Sequence, residues 1–280
     1  MYLSKRIICH QIKDPNAHDD KESISDVMLK RDSRRLKEGE PYVGTLGSGS
    51  DYAWFYQHVG VPSLDLGYKF GYKNRSKTYP VYHTQHDTFN WMKKFVDPKF
   101  LFHKAMSQLG GAILMDFADS PILPMEVRRY SKSVNSSLTQ LLLHHSAKVM
   151  SRNISLVVLE EAVGKFDKAT NDFEDRLAVI KNKGYKQFPI LRLLNNQIMY
   201  LERAFIHPYG LPGRKLIKHV IFAPDLHNIY GSSSFPGITD VLFDVQKTGN
   251  WAEVEKQISI AASCILSAAE TLAPLAISDY

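Results

Sequence analysis

The residue types best suited to chemistry gather in the run Tyr79-Pro80-Val81-Tyr82-His83-Thr84-Gln85-His86-Asp87-Thr88. A neutral imidazole is a good zinc ligand, and a phenol beside it can donate a hydrogen bond to a developing oxyanion. Pro80 stiffens the approach to this pair, and Asp87 or Thr88 is placed to cap a following helix. The same pattern also fits a structural histidine ahead of a helix. A local metal clasp from His83, His86 and Asp87 is a poorer alternative, because three neighbouring ligands need a distant partner to close a site. A second run, Gly44-Thr45-Leu46-Gly47-Ser48-Gly49-Ser50-Asp51, is a glycine-rich turn that opens a helix. Such a turn brings backbone groups close to a ligand. It lacks the Lys-Ser/Thr ending of a phosphate loop and also reads as a plain tight turn. A third run, Ala223-Pro224-Asp225-Leu226-His227-Asn228-Ile229-Tyr230 with Phe235-Pro236-Gly237 after it, lies in a long connection, where binding residues are often found.

The elements that must position these runs differ between the two parts of the chain. Residues 1–120 mix short apolar runs with Gly and Pro, and residues 10–41 read as a polar, irregular excursion. Residues 51–59 read as a helix, with Tyr52, Phe55, Tyr56 and Val59 on one face. Residues 61–68 read as a strand, because Leu64 and Leu66 alternate with Asp65 and Gly67. Residues 88–118 are expected to be largely helical, restarting at Asp97-Pro98. From residue 121 the pattern turns helical. Apolar residues recur at three- and four-residue steps from Leu159 to Ile180, from Leu191 to Phe205 and from Trp251 to Leu272. With a helix expected over 125–149, these make four helices of bundle length, and the Pro-, Gly- and Ser-rich link 207–249 is expected to be functional.

Composition narrows the function class. The 280 residues are 44% hydrophobic and 23% charged, as in an ordinary globular protein, so a buried core is expected. The formal charge of +6 is mild, and no Lys/Arg run is interleaved with aromatics, which argues against nucleic acid as a partner. Cys9 and Cys264 sit in no Cys/His ligand pattern, and Cys264 reads as a small buried hydrophobe in a helix. Sequons at Asn74, Asn135 and Asn153 lean toward a glycoprotein in an extracellular setting. The start of the chain has no signal-peptide core, and the apolar stretch 258–277 is broken by Ser259, Ser263, Glu270 and Pro274, so it reads as a buried helix.

Taken together, Leu46-Gly47-Ser48-Gly49-Ser50-Asp51, the turn ending in Tyr82-His83, Leu201-Glu202-Arg203-Ala204-Phe205-Ile206 and the 223–237 loop occur in an order that resembles glutamate carboxypeptidase II and its N-acetylated-alpha-linked acidic dipeptidase relatives. The resemblance covers most of residues 40–280. It implies a partial α/β zinc-exopeptidase sheet layer over residues 1–120, the C-terminal part of a catalytic domain. A transferrin receptor-like four-helix bundle over 121–280 would mediate homodimerisation. In that family two zinc ions act on small peptides. By resemblance His83 is a metal ligand and Tyr82 the catalytic tyrosine that steadies the tetrahedral intermediate. Ser48, Gly49, Ser50, Tyr82, Asn228 and Tyr230 are substrate-binding positions, with Tyr230 directed to the substrate's terminal carboxylate. The family also implies a type II membrane protein on the extracellular face of the plasma membrane.

Departures from the family pattern qualify this. Its other ligands and its catalytic Glu precede the Gly-Ser-Gly turn, and here the preceding residues hold no plausible His-x-Asp or Glu-Glu element. Glu160-Glu161 lies on a bundle helix and reads as a solvated face. The chain is therefore expected to be inactive alone, keeping one ligand of a two-zinc site. Ile229 stands where glutamate-selective members carry Lys, and Asp65 and Gly67 stand where arginines are expected. Loss of those cations predicts a weaker preference for acidic substrates. The main alternative is a non-catalytic binding and dimerisation module of the transferrin receptor type. A helical interaction module with a short α/β appendage is a third reading.

Overall fold

In the computed structural model, residues 2–3, 12–17, 22–31, 43–68, 79–184, 188–227 and 232–274 are described. They form two compact units. One comprises Met1–Leu3, Thr45–Leu64 and Pro121–Tyr280, the other Ser4–Gly44 and Asp65–Ser120.

The larger unit is mostly helical. Helix α5 (Val127–Met150), α6 (Val157–Asn182), α7 (Phe188–Tyr200), α8 (Pro236–Thr248) and α9 (Trp251–Thr271) make up its body. The three-and-four spacing read from the sequence is what folds. Leu159, Val163, Phe166, Phe173, Leu177 and Ile180 of α6 are all buried. Small Ala261, Ala262 and Ala268 line the buried face of α9 and let α6 approach it, and α6 also packs on α5. Phe166 and Phe173 are wholly enclosed, and each such side chain contributes about 1.5–3 kcal/mol through burial. The ends of α9 and α6 are closed locally. Asn250 caps α9 by accepting from the Glu253 N–H at 3.2 Å, and Gly184, at φ 78°, takes up the turn after α6.

The link 207–249 differs from the long loop expected. It contains a two-stranded antiparallel pair, β3 (Phe222–Pro224) with β4 (Ser232–Ser234), and then all of α8. Phe235, at φ 50°, turns the chain, and Pro236 at the first helical position suits an N–H-free start. Another antiparallel pair joins β1 (Tyr2–Leu3) to β2 (Met125–Glu126). Among the described residues, paired strands are confined to these two ladders and isolated bridges. Residues 61–68, expected as a strand, have no regular secondary structure. Their alternation marks two faces, but a strand also needs a neighbour, and no described strand pairs with them. Helix α2 (Tyr52–Trp54) continues as a π-turn, Phe55–Val59, so the expected helix is present, but of its expected apolar face Tyr56 is buried while Phe55 and Val59 are exposed.

The smaller unit carries α1 (Ile24–Arg31), α3 (Phe89–Trp91), which runs on as a π-turn to Val96, and α4 (Leu101–Asp119). The polar excursion 10–41 thus holds a helix. Ser23 Oγ accepts from the Asp26 N–H at 3.2 Å while Asp26 Oδ2 accepts from the Ser23 N–H at 2.9 Å, a reciprocal cap. The restart at Asp97-Pro98 occurs as expected. Asp97 is buried, and its carboxylate accepts from the Leu101 N–H at 2.8 Å, the His103 N–H at 3.0 Å and the His103 Nδ1 at 2.7 Å. Burial pushes this carboxyl up, but those hydrogen bonds outweigh it and hold the group below its ordinary value.

Candidate functional site

The Tyr82-His83 corner lies in the smaller unit, on a chain of tight turns. Backbone bonds run from Tyr82 N to Tyr79 O (3.1 Å), Thr84 N to Val81 O (3.0 Å) and Asp87 N to Thr84 O (3.1 Å). His83 takes a left-handed conformation, φ 59°, which few non-glycine residues adopt and which often marks a functional site. Its ring stacks on Tyr82 with centroids 3.9 Å apart and planes 19° apart. Tyr79 braces the corner from behind. Its ring meets Tyr82 edge-on at 5.5 Å, and its hydroxyl donates to Asp87 Oδ2 at 2.5 Å, which raises the Tyr79 pKa. Thr88 caps α3 by accepting from the Trp91 N–H at 3.3 Å. Tyr82 and His83 are both exposed. Asp87 is engaged by Tyr79, and among the described residues no three His, Cys, Asp or Glu side chains gather where they could hold a metal. The local clasp of His83, His86 and Asp87 is therefore not formed.

The Gly-Ser-Gly turn lies in the larger unit. Gly49 sits at φ 95°, a conformation that favours glycine, and Ser48, Gly49 and Ser50 precede α2. Gln57, nearly wholly buried, donates from Nε2 to Gly47 O at 3.3 Å, and Tyr52 donates to Ser48 O at 3.4 Å. The π-turn that carries Gln57 is pinned to the following link. Lys218 N donates to Gln57 O at 2.9 Å, and His58 Nδ1 lies 3.0 Å from Leu216 O. Gly60, at φ 71°, lets the two segments approach closely. A Cβ there would stand 2.7 Å from Ile206 Cγ1 and 2.8 Å from Arg203 Cα.

Behind this turn is a buried polar network that the sequence reading did not anticipate. Glu202 and His219 are both fully enclosed, with His219 Nε2 2.9 Å from Glu202 Oε1. Tyr130 donates to the same carboxylate oxygen at 2.7 Å. His219 Nδ1 accepts from the Ile221 and Phe222 N–H groups at 3.2 and 3.1 Å, so the ring proton is assigned to Nε2 and donated to Glu202. Tyr56 stacks on His219 at 4.9 Å, and Tyr130 stacks on Phe205 at 5.0 Å. Burial alone would raise the Glu202 pKa. Interactions that include the hydrogen bonds from His219 and Tyr130 instead lower it to about 2, while Tyr130 is pushed well above its ordinary value by burial and the Glu202 charge. Glu202 beside Leu201, ahead of Ala204 and Phe205, was the one available signal.

The hairpin β3–β4 brackets the third candidate region. Arg214 ties its base by donating to Pro224 O at 2.7 Å and to Asp240 Oδ2 at 2.5 Å. Asn228, Ile229 and Tyr230 fall outside the described residues.

Comparison with known proteins adds the decisive observation. Residues 154–273 match the transferrin receptor-like dimerisation domain. The chain is 37% identical over 243 residues to aminopeptidase NAALADL1 of Rattus norvegicus, covering 84% of this chain and 32% of that protein. The chain belongs to the transferrin receptor-like glutamate carboxypeptidase II family. The resemblance covers that family's C-terminal portion. Among other family members, it is 34% identical to the probable glutamate carboxypeptidase LAMP1 of Arabidopsis thaliana, over 76% of this chain and 29% of the relative. It is 26% identical to the probable glutamate carboxypeptidase VP8 of Zea mays, over 90% and 33%. The chain thus spans about a third of the length of these relatives.

Proposed function

We propose that this chain is the C-terminal part of a di-zinc metallopeptidase that hydrolyses small peptides, and that it does not hydrolyse them alone. Residues 1–120 belong to the peptidase domain and 121–280 to a helical dimerisation domain built around a four-helix bundle. The observation that carries the reading is the 37% identity to an aminopeptidase over 84% of the chain. The braced, exposed Tyr82–His83 pair supports it, because a receptor has no chemical need for an imidazole held in a left-handed turn against a phenol. In this reading His83 donates to one of two zinc ions and Tyr82 steadies the oxyanion. Ser48, Gly49, Ser50, Asn228 and Tyr230 face the substrate. The assembly is a homodimer through the helical unit, presented outside the cell. No helix among the described residues is long and apolar enough to cross a membrane. Asp65 and Gly67, at positions where the family carries arginines, favour substrates that are not strongly acidic.

The test is a chimaera in which this chain replaces the matched third of the rat aminopeptidase. Peptide hydrolysis is expected from the chimaera and should be lost in His83→Ala with the fold intact. An equally active His83→Ala chimaera would overturn the assignment.

A further inference from the structure

The Ser48-Gly49-Ser50 turn is fixed at its base and open at its tip. Leu46 before it and Tyr52 after it pack against the core of the larger unit, and Gly47 is buried, whereas Gly49 and Ser50 are exposed. An open turn keeps one shape when the polar backbone groups at its base are paired, and a buried carbonyl that loses its donor is costly. Two side chains supply those donors. Gln57 Nε2 donates to Gly47 O at 3.3 Å, and the Tyr52 hydroxyl donates to Ser48 O at 3.4 Å.

Gln57 is an unexpected residue for packing alone. It is 1% exposed, and its Oε1 has no partner among the described residues. An apolar side chain of the same length would avoid burying an unpaired oxygen. What the amide supplies and an apolar group does not is the N–H for Gly47. Gln57 is itself held from behind. Its main-chain carbonyl accepts from the Lys218 N–H at 2.9 Å, and the neighbouring Tyr56 ring stacks on His219, which donates to Glu202. The enclosed Tyr130–Glu202–His219 network thus reaches the Gly-Ser-Gly turn through the π-turn that carries Tyr56 and Gln57.

We propose that Gln57 is a positioning residue for the substrate. Its amide sets the backbone of Ser48, Gly49 and Ser50, and through them the groups that the substrate meets. The proposal rests on the peptidase reading, in which that turn faces the substrate. A turn released at Gly47 would lose contacts made alike to bound substrate and to transition state, so KM should rise while kcat holds.

The test has two arms. On the full chain, subtilisin cleavage between residues 45 and 51 reads how firmly the turn is held. It should be about fivefold faster in Gln57→Met, which keeps the length and removes the donor. It should be unchanged in Phe173→Ala, which loosens the buried face of α6 instead. In the chimaera with the rat aminopeptidase, Gln57→Met should raise KM for a small peptide about fivefold and keep kcat within about twofold. Phe173→Ala should lower the thermal midpoint of the chimaera and leave KM unchanged. Circular dichroism checks the fold, and Gln57→Leu replaces the methionine variant if that does not fold. Unchanged cleavage or an unchanged KM in the Gln57 variant overturns the proposal, and so does a rise in KM that Phe173→Ala shares. A chimaera of unaltered sequence that hydrolyses nothing refutes the peptidase reading, and cleavage of the chain alone then still decides whether Gln57 holds the turn.

Discussion

Protonation of Glu202 should measurably weaken the larger unit. Its carboxylate is fully enclosed and titrates at about 2, against 4.5 for an ordinary glutamate. A depressed folded-state value contributes stability that is complete above pH 4.5 and lost as pH falls toward 2. At about 1.4 kcal/mol per unit, the difference amounts to roughly 3 kcal/mol. Glu202→Gln approximates the protonated side chain while keeping its shape. Urea unfolding of both proteins from pH 7 to pH 2.5 isolates this contribution, because Asp97 and Asp240 titrate alike in each. The native chain should exceed the variant by roughly 3 kcal/mol at pH 5 and above, and the gap should close below pH 4.5. Parallel pH profiles for the two proteins would overturn this, since the ionised carboxylate would then gain nothing from its surroundings.

Gly60→Ala should destabilise the chain by about 2 kcal/mol or more, read as a fall in thermal midpoint, because both its positive φ and the Arg203 backbone oppose a Cβ. Phe166→Ala, which empties a fully buried site against Tyr130 and Phe205, should cost about 3–5 kcal/mol in urea unfolding. Burial pushes the Cys264 thiol up to about 11, so native protein at pH 7.5 should resist alkylation there, and denaturant should expose it to mass-spectrometric labelling.

Much of the fold was legible because its physics is local. The apolar spacing of Leu159 to Ile180 and of Trp251 to Leu272 is sufficient to specify α6 and α9, whose buried faces are those residues. The strand expected at 61–68 failed because a strand's stability lies in its neighbour, which the sequence of one segment does not reveal. Helix α1 was hidden by its polarity, although Ser23 and Asp26 carried the capping signal. Helix α8 was hidden inside a Pro- and Gly-rich link, where Pro236 in fact starts the helix and Gly249 ends it. The stacked Tyr82–His83 pair was legible because the two residues are adjacent. The Tyr130–Glu202–His219 network was not, since its members are separated by up to 89 residues and meet only after packing.

If, as proposed, this chain holds one corner of a two-zinc site, it cannot run the reaction alone. Equilibrium dialysis of the purified chain against zinc, with metal counted per chain and a panel of small peptides assayed in the same samples, tests it directly. Fewer than two zinc ions per chain and no hydrolysis are expected. Two tightly held zinc ions with peptide cleavage by the chain alone would contradict it.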